Sequence, residues 1–368
     1  MTTLRLLADD LTGALDTAAE FVGMVGPIHA FWHGVVPSRL PPNAALESGT
    51  RELDSDTAMR LVTGLAASLG DADIAFKKID SLMRGPTLTE IAECMRCGKW
   101  KNALLAPAFP YQGRVTRGGV QYASDGQGHW SPVSGDIVAR LHQEGVRAQR
   151  GRLDTELQPG VSVFDAETDE DLTRVATFGR ATHSSVLWVG TGGLARALAK
   201  ENAAEASAQL PSPLLGLFGS DQDVTASQLA ACGPDWVELR EAGSAEATSI
   251  VERLRSKNRA LVSIALPPGT ARNEAARRIA TELSRLIQDM PPPGTLVVAG
   301  GETLRSLCLS LGARSLELQG RIVPGLPRSI MRGGRWDGVT VISKSGAFGT
   351  PTLLRDLLRG TLTTERTL

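Results

Sequence analysis

Three short stretches in the first half of the chain gather side chains able to hold a small hydroxylated acid. ADDLTGALD (8–16) carries Asp9, Asp10 and Asp16, KKIDSLMRG (77–85) carries Lys77, Lys78, Asp80, Ser81 and Arg84, and PAFPYQGR (107–114) carries Gln112 and Arg114. Guanidinium groups grip carboxylates through paired hydrogen bonds, while aspartate and serine bond vicinal hydroxyls. Each residue also has a plainer use. Asp10 and Asp80 suit a helix cap or a turn, and Arg84 suits a pair with Glu90 on a solvated face.

The second half offers a different chemistry. GSDQDVTASQ (219–228), GGETLRSL (300–307) and KSGAFGTPTLL (344–354) each follow an apolar run and lead into a helical pattern. Glycine allows close backbone approach, and free N–H groups at a helix start attract phosphate oxygens. Lys344 adds a point charge suited to a β- or γ-phosphate. None of the three is a Walker loop, and singly each reads as ordinary strand-to-helix geometry. Together they point to a phosphate-rich ligand.

The elements that must position these residues read as alternating strands and helices. Runs at 4–9, 28–33, 74–79, 102–107, 162–166 and 185–190, then at 214–220, 236–240, 260–266, 295–301 and 339–346, are rich in Leu, Ile and Val with helical periods between them. That alternation predicts an α/β fold of two domains, each a mostly parallel sheet flanked by helices. In such sheets ligand loops lie at the carboxyl ends of the strands. The stretch 112–133 breaks the rhythm and reads as an irregular or hairpin insertion. A helix is expected over 192–209, and the following LPSPLL places the junction near 211, giving domains 1–210 and 211–368. The longest helix of the second half is expected at 271–289. No internal repeat is visible.

Totals exclude several classes. With 368 residues, net charge −1 and 42% hydrophobic residues, the chain has neither a nucleic-acid footprint nor a disordered composition. The start MTTLRLLADD has no secretory apolar stretch and no segment is long enough to span a membrane, so a cytoplasmic protein is expected. Four scattered cysteines suit reduced thiols, and CMRC (94–97) lacks a second ligand pair for zinc. GTGGLA (190–195) fits a dinucleotide fingerprint only in isolation and reads as close helix packing. The five histidines form no H-E-x-x-H, and no G-x-S-x-G elbow occurs.

Taken in order, ADDLTGALD, KKIDSLMRG, PAFPYQGR, VFDAETDEDL, VGTGGLA, Gly219-Ser220, VVAGGETL, IVPGLP and KSGAFG resemble the four-carbon acid sugar kinases nearly end to end. The resemblance implies an N-terminal acid-sugar domain, a C-terminal ATP domain and an active site in the cleft between them. It carries nucleotide contacts onto Ser220, Gly300, Gly301, Glu302, Thr303 and Gly346, with Lys344 beside them. The substrate side falls on Asp10, Asp16, Lys78, Asp80, Ser81 and Arg84, and the chemistry of the neighbouring side chains adds Asp9 and Arg114. The family commonly reads ADDLTGAND, DSTLRGN and GGDTA, whereas this chain has Leu15, Leu82 with Met83, Pro86, Glu302 and Leu304. The changes remove hydrogen-bonding groups near the substrate and leave the nucleotide side nearly whole.

For phosphoryl transfer, Asp10 is the expected orienting base with Asp9 as its support, and Asp80 is next in line. Arg84 and Lys78 are assigned to the substrate carboxylate or the moving phosphoryl group. Mg²⁺ is expected with ATP, its ligands left open among Asp221, Asp223 and Glu302. The partners expected are a sugar acid, ATP and a second copy of the chain in a homodimer, with no nucleic acid and no membrane. Two other classes stay open: an aspartyl-type phosphatase or phosphotransferase, although Asp9 and Asp10 are adjacent rather than D-x-D, and a non-catalytic sugar-acid binding protein.

Overall fold

The computed structural model describes residues 2–182, 185–202, 204–219, 222–267 and 269–362. The chain folds as two compact α/β units, 1–204 and 205–368. The boundary precedes LPSPLL because residues 205–209 belong to the second unit's sheet. The Ala206 N–H donates to Arg321 O at 2.8 Å, and Arg328 Nη1 donates to Ser207 O and Gln209 O.

In the first unit, strands β1 (Leu4–Ala8), β2 (Ile28–Phe31), β3 (Ala44–Glu47), β4 (Ile74–Lys78) and β5 (Asn102–Ala106) precede a small antiparallel sheet of β6 (Arg114–Arg117), β7 (Val120–Ser124) and β8 (Trp130–Pro132). Three more strands follow: β9 (Ala148–Arg150), β10 (Gly160–Val163) and β11 (Val186–Gly190). The main sheet runs β2-β3-β1-β4-β11-β5-β10-β9, with every pair parallel. Strands β1, β4, β5 and β11 are buried along their whole length, as expected of a parallel sheet covered on both faces. One cover is α2 (Ser55–Leu69), α3 (Thr87–Cys97) and α4 (Ile137–Gln143), packed through Val62, Ala66, Ile91, Ala92 and Leu141. The other is α1 (Leu11–Val25), α5 (Asp169–Arg180) and α6 (Gly192–Ala199). The glycines of GTGGLA let α6 approach: a Cβ on Gly193 would lie 2.7 Å from Ala108 O.

The second unit contains β12 (Leu214–Phe218), β13 (Trp236–Leu239), β14 (Arg259–Ile264), β15 (Thr295–Ala299), β16 (Ser315–Val323), β17 (Leu326–Arg332) and β18 (Thr340–Lys344) in the order β13-β14-β12-β15-β18-β17-β16. Its helices are α7 (Asp223–Ala230), α8 (Ser244–Lys257), α9 (Arg272–Leu286), α10 (Gly301–Leu311) and α11 (Leu353–Arg359). Helices α7 and α11 cover the face holding Phe218, Val297 and Ile342, and α8, α9 and α10 cover the other. The first four strands of both units are wound alike, second-third-first-fourth across the sheet. Each unit therefore has its switch point between its first and fourth strands.

Several expectations are corrected. The helix expected over 192–209 stops at Ala199, because Lys200 takes a left-handed φ of 47° and a single 3₁₀ turn follows. The helix expected at 271–289 ends its α-helical part at Leu286 and closes in a 3₁₀ turn, Ile287–Asp289. Strand β3 and the antiparallel hairpin β16-β17 carry no counterpart among the expected strands.

Candidate active site

The first unit's switch point lies at the ends of β1 and β4, where the chain leaves β1 for β2 and β3 on one side and returns as β4 on the other. Loops diverging there open a crevice. Asp9 and Asp10 leave β1, and Asp80 leaves β4.

Adjacent aspartates on an extended backbone point apart, and their environments differ accordingly. The Asp9 carboxylate is 5% exposed, and Arg51 holds both of its oxygens through Nε at 2.7 Å and Nη2 at 3.0 Å. Burial pushes the Asp9 carboxyl up, but the charges of Arg51 and Lys78 outweigh it and hold Asp9 below the usual range. Asp10 is 18% exposed and caps α1, accepting from Gly13 N–H at 3.0 Å, from Thr12 Oγ1 at 2.6 Å and from Arg51 Nη2 at 2.6 Å. Capping and partial exposure are combined in this one residue. Of the pair, Asp10 is the one open to a ligand.

Arg51 extends the cluster to Asp80, 3.6 Å from Nη2. The Asp80 carboxylate also accepts the Leu82 and Arg84 backbone N–H groups, and Arg84 grips it through Nε at 2.8 Å and Nη2 at 2.7 Å. Burial raises Asp80, yet the Arg84 bond and the Arg51 charge hold it far below an ordinary aspartate. Arg84 is thus paired with Asp80 and not with Glu90. Glu90 instead forms an ion pair with Lys77 at 2.6 Å. The two adjacent lysines face opposite sides of β4, as the strand period requires. Lys77 enters the α3 side, and Lys78 lies across Gly13 from Asp10. A Cβ at Gly13 would meet Asp10 Oδ1 at 2.4 Å and Lys78 Nζ at 2.8 Å, so a larger residue there would have to displace both charged groups.

Met83 sits in the turn after Asp80 with a left-handed φ of 58°, a conformation a non-glycine residue keeps only where its surroundings impose it. Ser81 is half-buried. Arg114 acts on Asp80 and Arg84 electrostatically; its Nη1 donates to Gln112 O and Gly113 O, and its buried Nε–H has no protein partner. The Gln112 side chain is half-buried nearby. Asp16 lies beside the start of α6, its Oδ2 3.4 Å from where a Cβ on Gly192 would be. Arg51 was not among the expected site residues, although it joins Asp9, Asp10 and Asp80. Its signal is an arginine in SGTR at the exit of β3, a strand absent from the sequence reading.

The second unit repeats the arrangement at the ends of β12 and β15. Gly219 packs directly beneath Thr303, whose Oγ1 would stand 1.8 Å from any Cβ there. Gly300 has φ 104° and donates its N–H to Lys344 O at 3.1 Å, and α10 starts at Gly301 with no side-chain cap on its first N–H groups. Glu302 is exposed and Thr303 buried. These open amides suit phosphate oxygens. Ser220 and Asp221 lie outside the described residues. Lys344 is 1% exposed and donates to Thr225 Oγ1 at 3.2 Å and Gly346 O at 3.3 Å, so it braces the KSGAFG loop against α7.

Burial pushes Lys344 down from the ordinary 10.5 to about 7. Between these values the unfolded chain binds the extra proton, so this residue makes stability rise with pH from about 7 towards 10.5 and cost stability below that window. Lys344→Met is expected to flatten this slope, read as the difference in urea midpoint between pH 7 and pH 9. Equal slopes in both proteins would refute it.

Among the described residues, no group of three or more His, Cys, Asp and Glu side chains forms a metal cage. Nor is any described helix long and apolar enough to cross a membrane.

The two units correspond to the two domains of one protein family. Residues 4–140 and 131–198 match the model of a sugar-binding N-terminal domain, and 215–354 that of a nucleotide-binding C-terminal domain. The chain belongs to the four-carbon acid sugar kinase family. It is 30% identical to a D-threonate kinase of Cupriavidus necator over 95% of both chains, and 28% identical to a 3-oxo-tetronate kinase of Methylobacterium radiotolerans over 94% of this chain and 96% of that one. A Salmonella typhimurium LT2 protein described as a tRNA synthase shares the fold with a TM-score of 0.76 at 19% identity, covering 98% of this chain and 100% of that one. A Haemophilus influenzae protein does so with a TM-score of 0.68 at 16% identity and the same coverage.

Proposed function

We propose that this chain transfers the γ-phosphoryl group of ATP to a hydroxyl of a four-carbon sugar acid, a tetronate or 3-oxo-tetronate. The observation that carries this reading is the Asp9-Arg51-Asp10-Asp80-Arg84 cluster at the first unit's switch point. Its relatives named as D-threonate, D-erythronate and 3-oxo-tetronate kinases support the substrate class.

Asp10 orients the attacking hydroxyl and takes its proton as the bond to phosphorus forms. Three donors fix the direction of the Asp10 carboxylate, so that it meets the hydroxyl whose proton it accepts. Asp9 holds Arg51, and Asp80 holds Arg84. Lys78 and the free Nε–H of Arg114 supply positive charge for the acid's carboxylate. Thr303 and the α10 amides receive phosphate oxygens, with Lys344 bracing the third loop. Mg²⁺ would accompany ATP and neutralise phosphate charge, and Asp223 and Glu302 are the described carboxylates at the helix starts that would hold it together with phosphate oxygens.

The test is ADP release from Mg-ATP with D- and L-threonate, D- and L-erythronate and their 3-oxo forms added singly. One acid is expected to accelerate ADP release well above the acid-free rate. ADP release indifferent to all of them would exclude the proposed acceptor class.

A further inference from the structure

The small antiparallel sheet interrupts the α/β alternation, and one of its faces carries a polar set. Residues two apart on a strand share a face, and residues opposite each other across an antiparallel pair share it too. Arg114 and Thr116 on β6 are thereby grouped with Gln121 on β7, which stands opposite Thr116. Thr116 and Gln121 are completely buried.

Gln121 bridges two loops of the main sheet. Its Nε2 donates to Ser81 O at 3.1 Å and to Pro107 O at 3.0 Å, and its Oε1 accepts from Thr116 Oγ1 at 2.7 Å. Ser81 follows β4 and Pro107 follows β5, and β11 lies between those strands, so no ladder bond joins the two loops. The Gln121 amide does. Thr116 is itself anchored by reciprocal backbone bonds with Ala166. The clamped segment, Ser81 to Arg84, includes left-handed Met83 and ends on the arginine that grips Asp80.

We propose that Gln121 is a positioning residue for acid recognition: through Ser81 it fixes the 80–84 loop, and the face it shares with Arg114 makes the small sheet a specificity-determining part of the site. Both amide hydrogens are used on carbonyls of the site loops, so a side chain without them frees the loop while leaving the main sheet's ladder intact. This inference rests on the acid-kinase reading for its kinetic consequence, but its structural half stands separately.

The experiment compares wild type with Gln121→Leu, and with Thr116→Val, which removes only the donor to Oε1 and preserves shape. Amide hydrogen exchange by mass spectrometry reads the loop without any substrate, and steady-state kinetics read the acid and ATP separately. Expected are faster exchange of the Leu82 to Arg84 amides in both variants and a KM for the acid about tenfold higher in Gln121→Leu, with the KM for ATP unchanged. Unchanged exchange in this segment, or equal changes in the two KM values, would overturn the proposal. If Gln121→Leu does not fold, Thr116→Val alone decides by the same exchange readout. If wild type phosphorylates no sugar acid, the functional reading falls, and the exchange result still tests whether Gln121 holds the loop.

Discussion

Asp10→Asn is expected to lower kcat for sugar-acid phosphorylation by about 10²- to 10⁴-fold, the usual worth of a positioned proton acceptor, while leaving the KM for ATP nearly unchanged. The variant keeps an oxygen for the Gly13 N–H cap and a similar shape, so helix α1 still starts where it does. What it loses is the negative charge beside Arg51 and the ability to receive a proton. Asp9→Asn makes the informative contrast. Asp9 is almost fully enclosed and both its oxygens are bonded to Arg51, so its change should loosen Arg51 and lower the unfolding midpoint as well as the rate. A kcat for Asp10→Asn within about threefold of wild type would remove Asp10 from the chemistry, since a general base contributes far more than that. Asp80 would then be the next carboxylate to test, although its two bonds from Arg84 leave it less free to meet a hydroxyl.

Much of this was legible in the sequence because buried parallel strands leave long apolar runs, and the loops after them inherit a known position. The Asp9-Asp10, Asp80-Arg84 and Gly300-Gly301 turns all follow such runs, and all lie at carboxyl ends of strands. Arg51 was hidden by a physical circumstance. Strand β3 is four residues long, made of AALE, and sits after the polar, proline-rich PPN, so neither length nor β-branched content marks it. Without that strand, the loop SGTR has no address. The β16-β17 hairpin was missed for a related reason: its burial alternates, but Gly320, Pro327 and Ser329 take buried positions, so no apolar run marks it. The function of the 112–133 insertion was equally invisible, because the role of Gln121 depends on Ser81 and Pro107, which are distant in sequence and in different loops. Local pattern reveals which strand a residue leaves; it cannot reveal which loop a buried side chain reaches.

The largest stability effect is expected at the ion pair beneath the site. Lys77 and Glu90 are 0% and 1% exposed and 2.6 Å apart. Burial lowers the Lys77 ammonium, but Glu90 and Asp9 outweigh it, so the lysine stays charged. Glu90→Leu removes the partner and leaves a buried cation, a change expected to cost about 3–5 kcal/mol in urea unfolding. It also removes the acceptor of the Thr50 hydroxyl, next to Arg51, so residual activity should fall with it. Lys77→Met combined with Glu90→Leu should recover most of the lost stability, because two well-packed apolar side chains need no charge partner. The double variant separates two roles. If stability returns while activity stays low, the pair is held in place by its service to Thr50 and Arg51 and not by stability alone. If Glu90→Leu costs less than about 1 kcal/mol, in the range of an exposed pair, the Lys77 ammonium must reach water and the buried-pair account fails.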